Sequence, residues 1–205
     1  MTNWRNKPSI SNLKEDLNKK YGKDFSMNLR NTCLDDFSNV LQKFSNNFGK
    51  TILVGANNLE EVNYFPDFDL LVGVDLAYSA FNNIKSDRKN IIPVIANAKE
   101  LPFPKDYFDT YIALRALFST HTDLETCINE AMRITKESGT IILSIPNGYL
   151  IGKEVIKGMY DYETNSNETE KPYKFLETVK QIAHSLSCSV EHAEIESEIL
   201  IKLTK

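Results

Sequence analysis

Residues 51–76, TILVGANNLEEVNYFPDFDLLVGVDL, decide the fold. Two short apolar runs in this stretch, TILVG and FDLLVGVDL, have the composition of strands buried on both faces of a parallel sheet. The first run ends in Gly55, and the second reaches Asp75 20 residues later. This spacing is typical of a strand–turn–helix–strand unit that binds a nucleotide, in which the acid accepts hydrogen bonds from a ribose diol. The alternative is that Asp75 caps a helix at AYSAFNNI.

The rest of the chain continues the alternation of strands and helices. The apolar runs IIPVIAN, FDTYIALRAL and GTIILSIPN predict three more strands. Apolar spacings of three and four residues predict helices over 9–21, 32–47, 120–136 and 171–187. The last two runs, CSVEHAEIES and EILIKLTK, are nearly contiguous, and strands that close pair antiparallel. We therefore predict an α/β fold with a doubly wound, mostly parallel seven-stranded sheet and a C-terminal antiparallel hairpin.

Composition narrows the class of protein. The chain has 205 residues, is 41% hydrophobic and 25% charged, and carries a net charge of -4, which fits one soluble domain and argues against a nucleic-acid partner. No apolar run approaches the roughly 20 residues that span a bilayer, and the N-terminus has no apolar signal core. The three cysteines lie far apart and match no metal-binding pattern. We expect a cytoplasmic protein with no membrane contact and no metal site.

The end of the third strand, IANAKELPFP, is a candidate for adenine recognition. Parallel sheets bind ligands beyond the carboxyl ends of their strands. There the Asn97 amide offers both a donor and an acceptor, and the Ala98 backbone N–H is a second donor. The side chains of Leu76 and Leu101 could close on the two faces of the ring. The alternative for Asn97 is an Asx-type turn that precedes LPFP.

Two longer stretches, AKELPFPKDYFDTYIA and INEAMRITKESGTIILSIPN, are the most specific in the chain. Together with ILVG and GVDL they resemble class I S-adenosylmethionine-dependent methyltransferases of the small-molecule (type 11-like) group. The resemblance covers about residues 51–147, and the closing hairpin agrees with it. It implies a Rossmann-like methyltransferase fold, S-adenosyl-L-methionine as cofactor and S-adenosyl-L-homocysteine as product.

The resemblance assigns the first strand's loop to the cofactor, with departures from the family. Gly55 matches the first glycine of the family's loop and Ala56 follows it, but Asn57 and Leu59 stand where two further glycines are usual. The acid that usually precedes the first glycine is absent, since Leu53 and Val54 occupy those positions. Among residues other than glycine, Asn best tolerates a positive φ. Two interpretations stay open: a re-routed cofactor site with activity retained, or a non-catalytic partner or regulatory subunit.

The remaining cofactor positions carry over more directly. Asp75 matches the family's ribose-binding acid, and Asn97 stands where an Asp commonly contacts the adenine amino group. Leu114 and Arg115 match the end of the fourth strand, near the methionine part of the cofactor.

The resemblance also implies a division of the chain. We expect a single methyltransferase-like domain over 1–205, with a helical N-terminal lobe over 1–48 and a cofactor-binding core over 49–147. A substrate-side insertion then covers 148–172, and the final helix and hairpin cover 173–205.

The catalytic group is the least determined feature. His121, just after the fourth strand, could act as a general base, although an exposed histidine at a helix start is the simpler interpretation. Tyr78 and Tyr149 follow the second and fifth strands and are candidates for pocket walls or a base. We expect biosynthetic methyl transfer to a small molecule, such as a glycan precursor or a secondary metabolite, and a homodimer or a partner protein stays open. A nicotinamide-dependent oxidoreductase is the remaining alternative, because it shares the glycine–acid spacing.

Overall fold

The computed structural model describes residues 34–118, 122–146, 171–195 and 198–205. The strands are β1 (Lys50–Val54), β2 (Leu70–Asp75), β3 (Ile91–Ile95), β4 (Phe108–Leu114), β5 (Thr135–Pro146), β6 (Ser189–Glu194) and β7 (Glu198–Thr204). The α-helices are α1 (Leu34–Phe44), α2 (Leu124–Ile134) and α3 (Lys171–Ser185). Two short 3₁₀ helices cover Glu60–Tyr64 and Tyr78–Phe81. The helix predicted over 9–21 lies outside the described residues.

These strands form one sheet in the order β3-β2-β1-β4-β5-β7-β6. The first five strands run parallel to one another, and β7 pairs antiparallel with both β5 and β6. The predicted doubly wound, seven-stranded sheet with its C-terminal antiparallel hairpin is therefore confirmed. The order reverses between β1 and β4, so the crevice that receives a ligand in such sheets lies beyond the ends of these two strands.

Alternate residues of the central strands serve two separate cores, as the period of two in a strand requires. In β1, Ile52 and Val54 belong to the core that α2 and α3 cover, while Leu53 belongs to the core under α1. In β4, Tyr111 and Ala113 face the first core and Ile112 the second. Both faces of the sheet are thus buried at these central strands, which explains why they are almost continuously apolar.

Two predicted helices differ from the structure. The helix predicted over 120–136 ends at Ile134, because Thr135 already pairs with Phe108 as the first residue of β5. The Thr135 hydroxyl donates to the Ala131 carbonyl at 2.7 Å and satisfies the last turn of α2. The helix considered at AYSAFNNI is only the 3₁₀ helix Tyr78–Phe81. In the described part of the chain, no helix is long and apolar enough to cross a membrane.

Candidate functional site

The loop that follows β1, residues 55–59, adopts a left-handed backbone at alternating positions. Gly55 has φ 72°, Asn57 φ 44° and Leu59 φ 62°. A left-handed backbone is uncommon for residues other than glycine and costs an L-residue roughly 1–2 kcal/mol. The three positions coincide with those at which the resemblance expects glycine. The turn is therefore kept although two of its residues carry side chains.

Loop 55–59 is tied to the end of β2 through its backbone. The N–H groups of Gly55 and Ala56 both donate to the Val74 carbonyl, at 2.8 and 3.0 Å. The N–H of Asn57 donates to Asp75 Oδ2 at 3.0 Å. These bonds fix the loop beside the acid that ends β2, so the two strand ends singled out in the sequence do lie together.

Leu59 avoids the crevice by packing into the sheet. Its side chain is completely buried in the core under α1. A Cβ atom added at Gly73 in β2 would lie 2.6 Å from Leu59 Cδ2 and 3.3 Å from the Ala56 Cβ. Gly73 thus leaves the space that Leu59 fills. The pairing of these two residues was missed from the sequence, because nothing in a strand glycine indicates which side chain replaces its missing Cβ.

This packing predicts a favourable coupling between two substitutions. Leu59→Ala should destabilise the fold by about 2–5 kcal/mol through a cavity, and Gly73→Ala by about 1–3 kcal/mol through overlap with Leu59. In the double variant the new methyl group enters the vacated space. The double variant should therefore lose about 0.5–3 kcal/mol less stability than the two single variants lose together. Urea unfolding of the four proteins measures this coupling.

Leu41→Ala provides the control for that cycle. Leu41 in α1 is also completely buried, but the three atoms nearest to a Cβ at position 73 belong to Leu59 and Ala56. Leu41→Ala and Gly73→Ala should therefore be additive. Additivity in the Leu59 cycle as well would contradict the packing argument.

The end of β4 closes on the same loop. A Cβ atom at Gly55 would lie 2.4 Å from the Cβ of Ala116, closer than real Cβ atoms approach. The first loop position therefore contacts the segment that follows β4, at the point where the strand order reverses. Ala116 is a second residue that sequence inspection did not single out.

Asp75 presents a half-buried carboxylate beside loop 55–59. Its Oδ1 accepts from the Ala77 N–H at 2.9 Å, and its Oδ2 accepts from Asn57. Burial raises the pKa of this carboxyl above its usual value, and the N–H groups of Ala77, Asn57 and Leu76 oppose that shift. A carboxylate has about four lone-pair positions, so these bonds leave room for a further donor.

The residues proposed for adenine lie next to Asp75. The Ala96 N–H donates to the Asp75 carbonyl at 3.1 Å, which places the Asn97 turn beside the end of β2. Asn97 Oδ1 accepts from the Lys99 N–H at 3.1 Å, so the Asx-type turn considered from the sequence is present. Leu76 and Ala98 are half-buried, and Leu101 is buried in the core.

Arg115 differs in setting from the other predicted cofactor residues. Its backbone is left-handed, with φ 52°, and its guanidinium Nη2 donates to Glu61 Oε1 at 2.6 Å. Its Nε lies 3.9 Å from Glu198 Oε2. The preceding residue, Leu114, is buried in the core under α1. The sequence signal for the contact with Glu198 was a glutamate at the start of a mostly apolar strand, EILIKL.

Of the three catalytic candidates, only Tyr78 lies in the described residues. Tyr78 lies in the 3₁₀ helix after β2 and is 60% exposed. His121 and Tyr149 lie outside the described residues. The roles suggested for all three stay predictions.

Comparison with known protein families finds one family model that matches this chain. Residues 52–143 match a family model described as a methyltransferase domain. Over these residues, somewhat less than half of its length, the chain is similar to methyltransferase domains. The stretch contains both the loop with its left-handed positions and Asp75, so the resemblance noted in the sequence is confirmed. The chain has no match among curated protein sequences.

Solved structures share the fold at low sequence identity. A protein from Methanococcus maripaludis, assigned as an S-adenosyl-L-methionine-dependent methyltransferase, is 15% identical with a TM-score of 0.59, covering 100% of this chain and 97% of its own. A SAM-dependent methyltransferase from Aquifex aeolicus is 15% identical with a TM-score of 0.60, covering 97% of each chain. A chain from the complex between the Haloferax volcanii methyltransferase activator Trm112 and a methyltransferase-type protein is 14% identical with a TM-score of 0.67, covering 93% of this chain and 96% of its own.

Proposed function

We propose that this chain is an enzyme that transfers the methyl group of S-adenosyl-L-methionine to a small-molecule acceptor and releases S-adenosyl-L-homocysteine. The left-handed backbone at Gly55, Asn57 and Leu59 carries the proposal. The absence of two glycines raised the alternative that the loop fills its own crevice. Since the Leu59 side chain packs against Gly73 in the core under α1, it does not fill the crevice, which supports the first of the two interpretations.

The residues around the crevice fit the cofactor in three places. Asp75, which has lone pairs beyond those its backbone donors use, would accept from the ribose hydroxyls. The amide of Asn97 and the N–H of Ala98 would hold the adenine edge. Loop 55–59 and the backbone at Leu114 and Arg115 would border the methionine part.

The chemistry of the methyl group itself comes from the cofactor, whose sulfonium supplies an already activated methyl. What the chain has to add is mainly position, because holding two reactants in line removes much of the entropic barrier. A general base helps when the acceptor is a hydroxyl, and His121, Tyr78 and Tyr149 are its candidates. The acceptor class, a glycan precursor or a secondary metabolite, and a reducing cytoplasmic location remain part of the proposal.

Calorimetry with S-adenosyl-L-methionine and S-adenosyl-L-homocysteine tests the proposal. We expect both to bind the purified chain, as they bind enzymes of this chemistry. NAD and NADP serve as controls that share the adenosine part, and their binding in preference to the sulfonium cofactor would favour the oxidoreductase alternative. Absence of heat with either sulfur ligand at millimolar concentration would sink the proposal.

A non-catalytic partner or regulatory subunit is the second candidate function. It is favoured by Leu53, which is completely buried and apolar where the family usually has an acid. The Haloferax volcanii neighbour, which occurs in a complex with an activator, supports testing for a partner protein. Turnover by the isolated chain would exclude this candidate, and turnover only after a co-purifying protein is added would support it.

A further inference from the structure

A cluster of three buried charged side chains lies at the carboxyl end of the sheet. Arg115 contacts Glu61 at 2.6 Å and Glu198 at 3.9 Å. The exposed fractions of the three side chains are 14% for Arg115, 7% for Glu61 and 4% for Glu198. Charged side chains are almost never this buried unless they are paired. The cluster therefore needs a structural or functional reason.

The three residues come from three different elements. Glu61 lies in the 3₁₀ helix Glu60–Tyr64, which directly follows loop 55–59. Arg115 follows β4, and its N–H donates to the carbonyl and the hydroxyl of Ser144 in β5, at 3.2 Å each. Glu198 begins β7, where it pairs with Pro146. The Arg115 side chain thus links the loop, the end of β4 and the closing hairpin.

Arg115 is what compensates the charge of Glu198. In the part of the chain that the structure describes, Glu198 Oε2 is buried and accepts no hydrogen bond. Its attraction to Arg115 Nε therefore offsets part of the cost of burying the carboxylate. Nearby carboxylates in turn favour the charged guanidinium: although burial lowers the pKa of Arg115, Glu198 and Glu61 outweigh that effect and raise it overall.

The same contacts make the guanidinium a poor cofactor ligand. Within the described residues its side chain contacts two buried carboxylates, so a carboxylate from the methionine part would compete with them for the guanidinium. Removing one partner of a buried ion pair is strongly unfavourable. The resemblance placed Arg115 among the residues near the cofactor, and its side chain is better placed to act through the protein.

We infer that Arg115 is a positioning residue. Its ion pair with Glu61 holds the 3₁₀ helix Glu60–Tyr64, and with it loop 55–59, against the segment at Ala116 that borders Gly55. Its ion pair with Glu198 fixes the position of the 3₁₀ helix and of loop 55–59 relative to the C-terminal hairpin. The ligand side of this inference rests on the proposed function, because the positioned loop is the one proposed to bind the cofactor. The positioning itself is a property of the protein without ligand.

Arg115→Met tests the inference with two readouts. Without ligand, amide hydrogen exchange across 56–62 should speed up at least about ten-fold, because local stability reports the contacts that hold a segment. With ligand, the dissociation constant for S-adenosyl-L-homocysteine should rise by about ten-fold or more. Arg115→Lys keeps the charge but lacks the planar fork, and should recover part of both effects.

Lys136→Met is the matched control. Lys136 pairs with Asp109 at 2.6 Å at the opposite end of the sheet. Its loss should leave both the exchange of 56–62 and the ligand affinity unchanged. If Arg115→Met does not fold, Glu61→Met decides, since it removes both the charge and the acceptor for Arg115 Nη2. Unchanged exchange over 56–62 in the folded variant would overturn the inference. Absence of ligand binding by the wild-type protein would instead overturn the proposed function and leave the exchange result valid.

Discussion

Gly55→Ala will abolish detectable S-adenosyl-L-homocysteine binding and destabilise the fold by about 2–5 kcal/mol. Two costs act together in this estimate. A left-handed backbone costs an alanine roughly 1–2 kcal/mol relative to glycine at the φ of 72° found here. The new Cβ would also lie 2.4 Å from the Cβ of Ala116, and such overpacking typically costs about 1–3 kcal/mol.

Gly55→Ala should reduce ligand binding more strongly than stability, because of where the protein relieves the strain. Ala116 has a short side chain with no rotamer to change, so relief requires a backbone shift of loop 55–59 or of the end of β4. Both segments border the proposed methionine site. A displacement near 1 Å at a reacting centre can also lower the reaction rate about a hundred-fold, so turnover should fall together with binding. Titration calorimetry and urea unfolding of the same preparation separate the two effects.

A second substitution separates overlap from backbone strain. Ala116→Gly removes the atom that Gly55→Ala would meet, so the double variant should regain stability by about 1–3 kcal/mol over Gly55→Ala. The strain of the left-handed backbone stays. Equal stability of Gly55→Ala and the double variant would show that Ala116 is not the obstacle.

Gly49→Ala is the positional control. Gly49 also has a positive φ, 57°, and its Cβ would lie 2.8 Å from Asp109 Oδ2. It precedes β1, at the end of the sheet away from the crevice. We expect lower stability with unchanged ligand affinity. Loss of affinity in Gly49→Ala would mean that Gly55→Ala acts through stability alone.

The sequence predicted the elements that depend on local pattern. The central strands could be located because strands buried on both faces are continuously apolar, as TILVG and GTIILSIP are. Gly55, Asp75 and Asn97 could be placed near each other because each ends a parallel strand. The closing hairpin followed from the short gap before EILIKLTK.

The features that sequence could not supply depend on distant partners. Leu59 was seen only as a missing glycine, since its place in the fold is set by Gly73 on a neighbouring strand. Arg115 was assigned by its position after β4, while its ion pairs with Glu61 and Glu198 depend on tertiary packing. The end of α2 was placed too late, because the pairing of Thr135 with Phe108 overrides helical periodicity. His121 and Tyr149 keep the status of predictions.

Asp75→Ala should weaken the binding of S-adenosyl-L-homocysteine by about a hundred-fold or more. Hydrogen bonds to a charged group contribute roughly 1.5–3 kcal/mol each, and a tenfold change corresponds to about 1.4 kcal/mol. The variant also loses the acceptor for the N–H groups of Asn57 and Ala77, which loosens loop 55–59. Asp109→Ala controls for the loss of a carboxylate that accepts a backbone N–H, because Asp109 accepts from Lys50 at the amino end of the sheet. It should leave the affinity unchanged.

The pH dependence of binding identifies the carboxylate directly. Ribose hydroxyls donate to the ionised form of Asp75, so a proton competes with the ligand. Because burial raises the pKa of Asp75 above 3.8, the affinity should fall on acidification at a higher pH than an ordinary aspartate would produce. Folding stability responds with the opposite sign. The folded state holds this proton more tightly than the unfolded state, so the contribution of Asp75 to stability falls as the pH rises from 3.8 through its raised pKa.

Asp75→Asn separates these two effects. The variant cannot ionise, so its weaker affinity should not change over the acidic range in which the wild-type affinity falls. Titrations of the wild-type protein and the variant at several pH values measure the difference. An acid limb of equal size in Asp75→Asn would assign the titration to another group, and a wild-type affinity retained in Asp75→Ala would remove Asp75 from the ribose site.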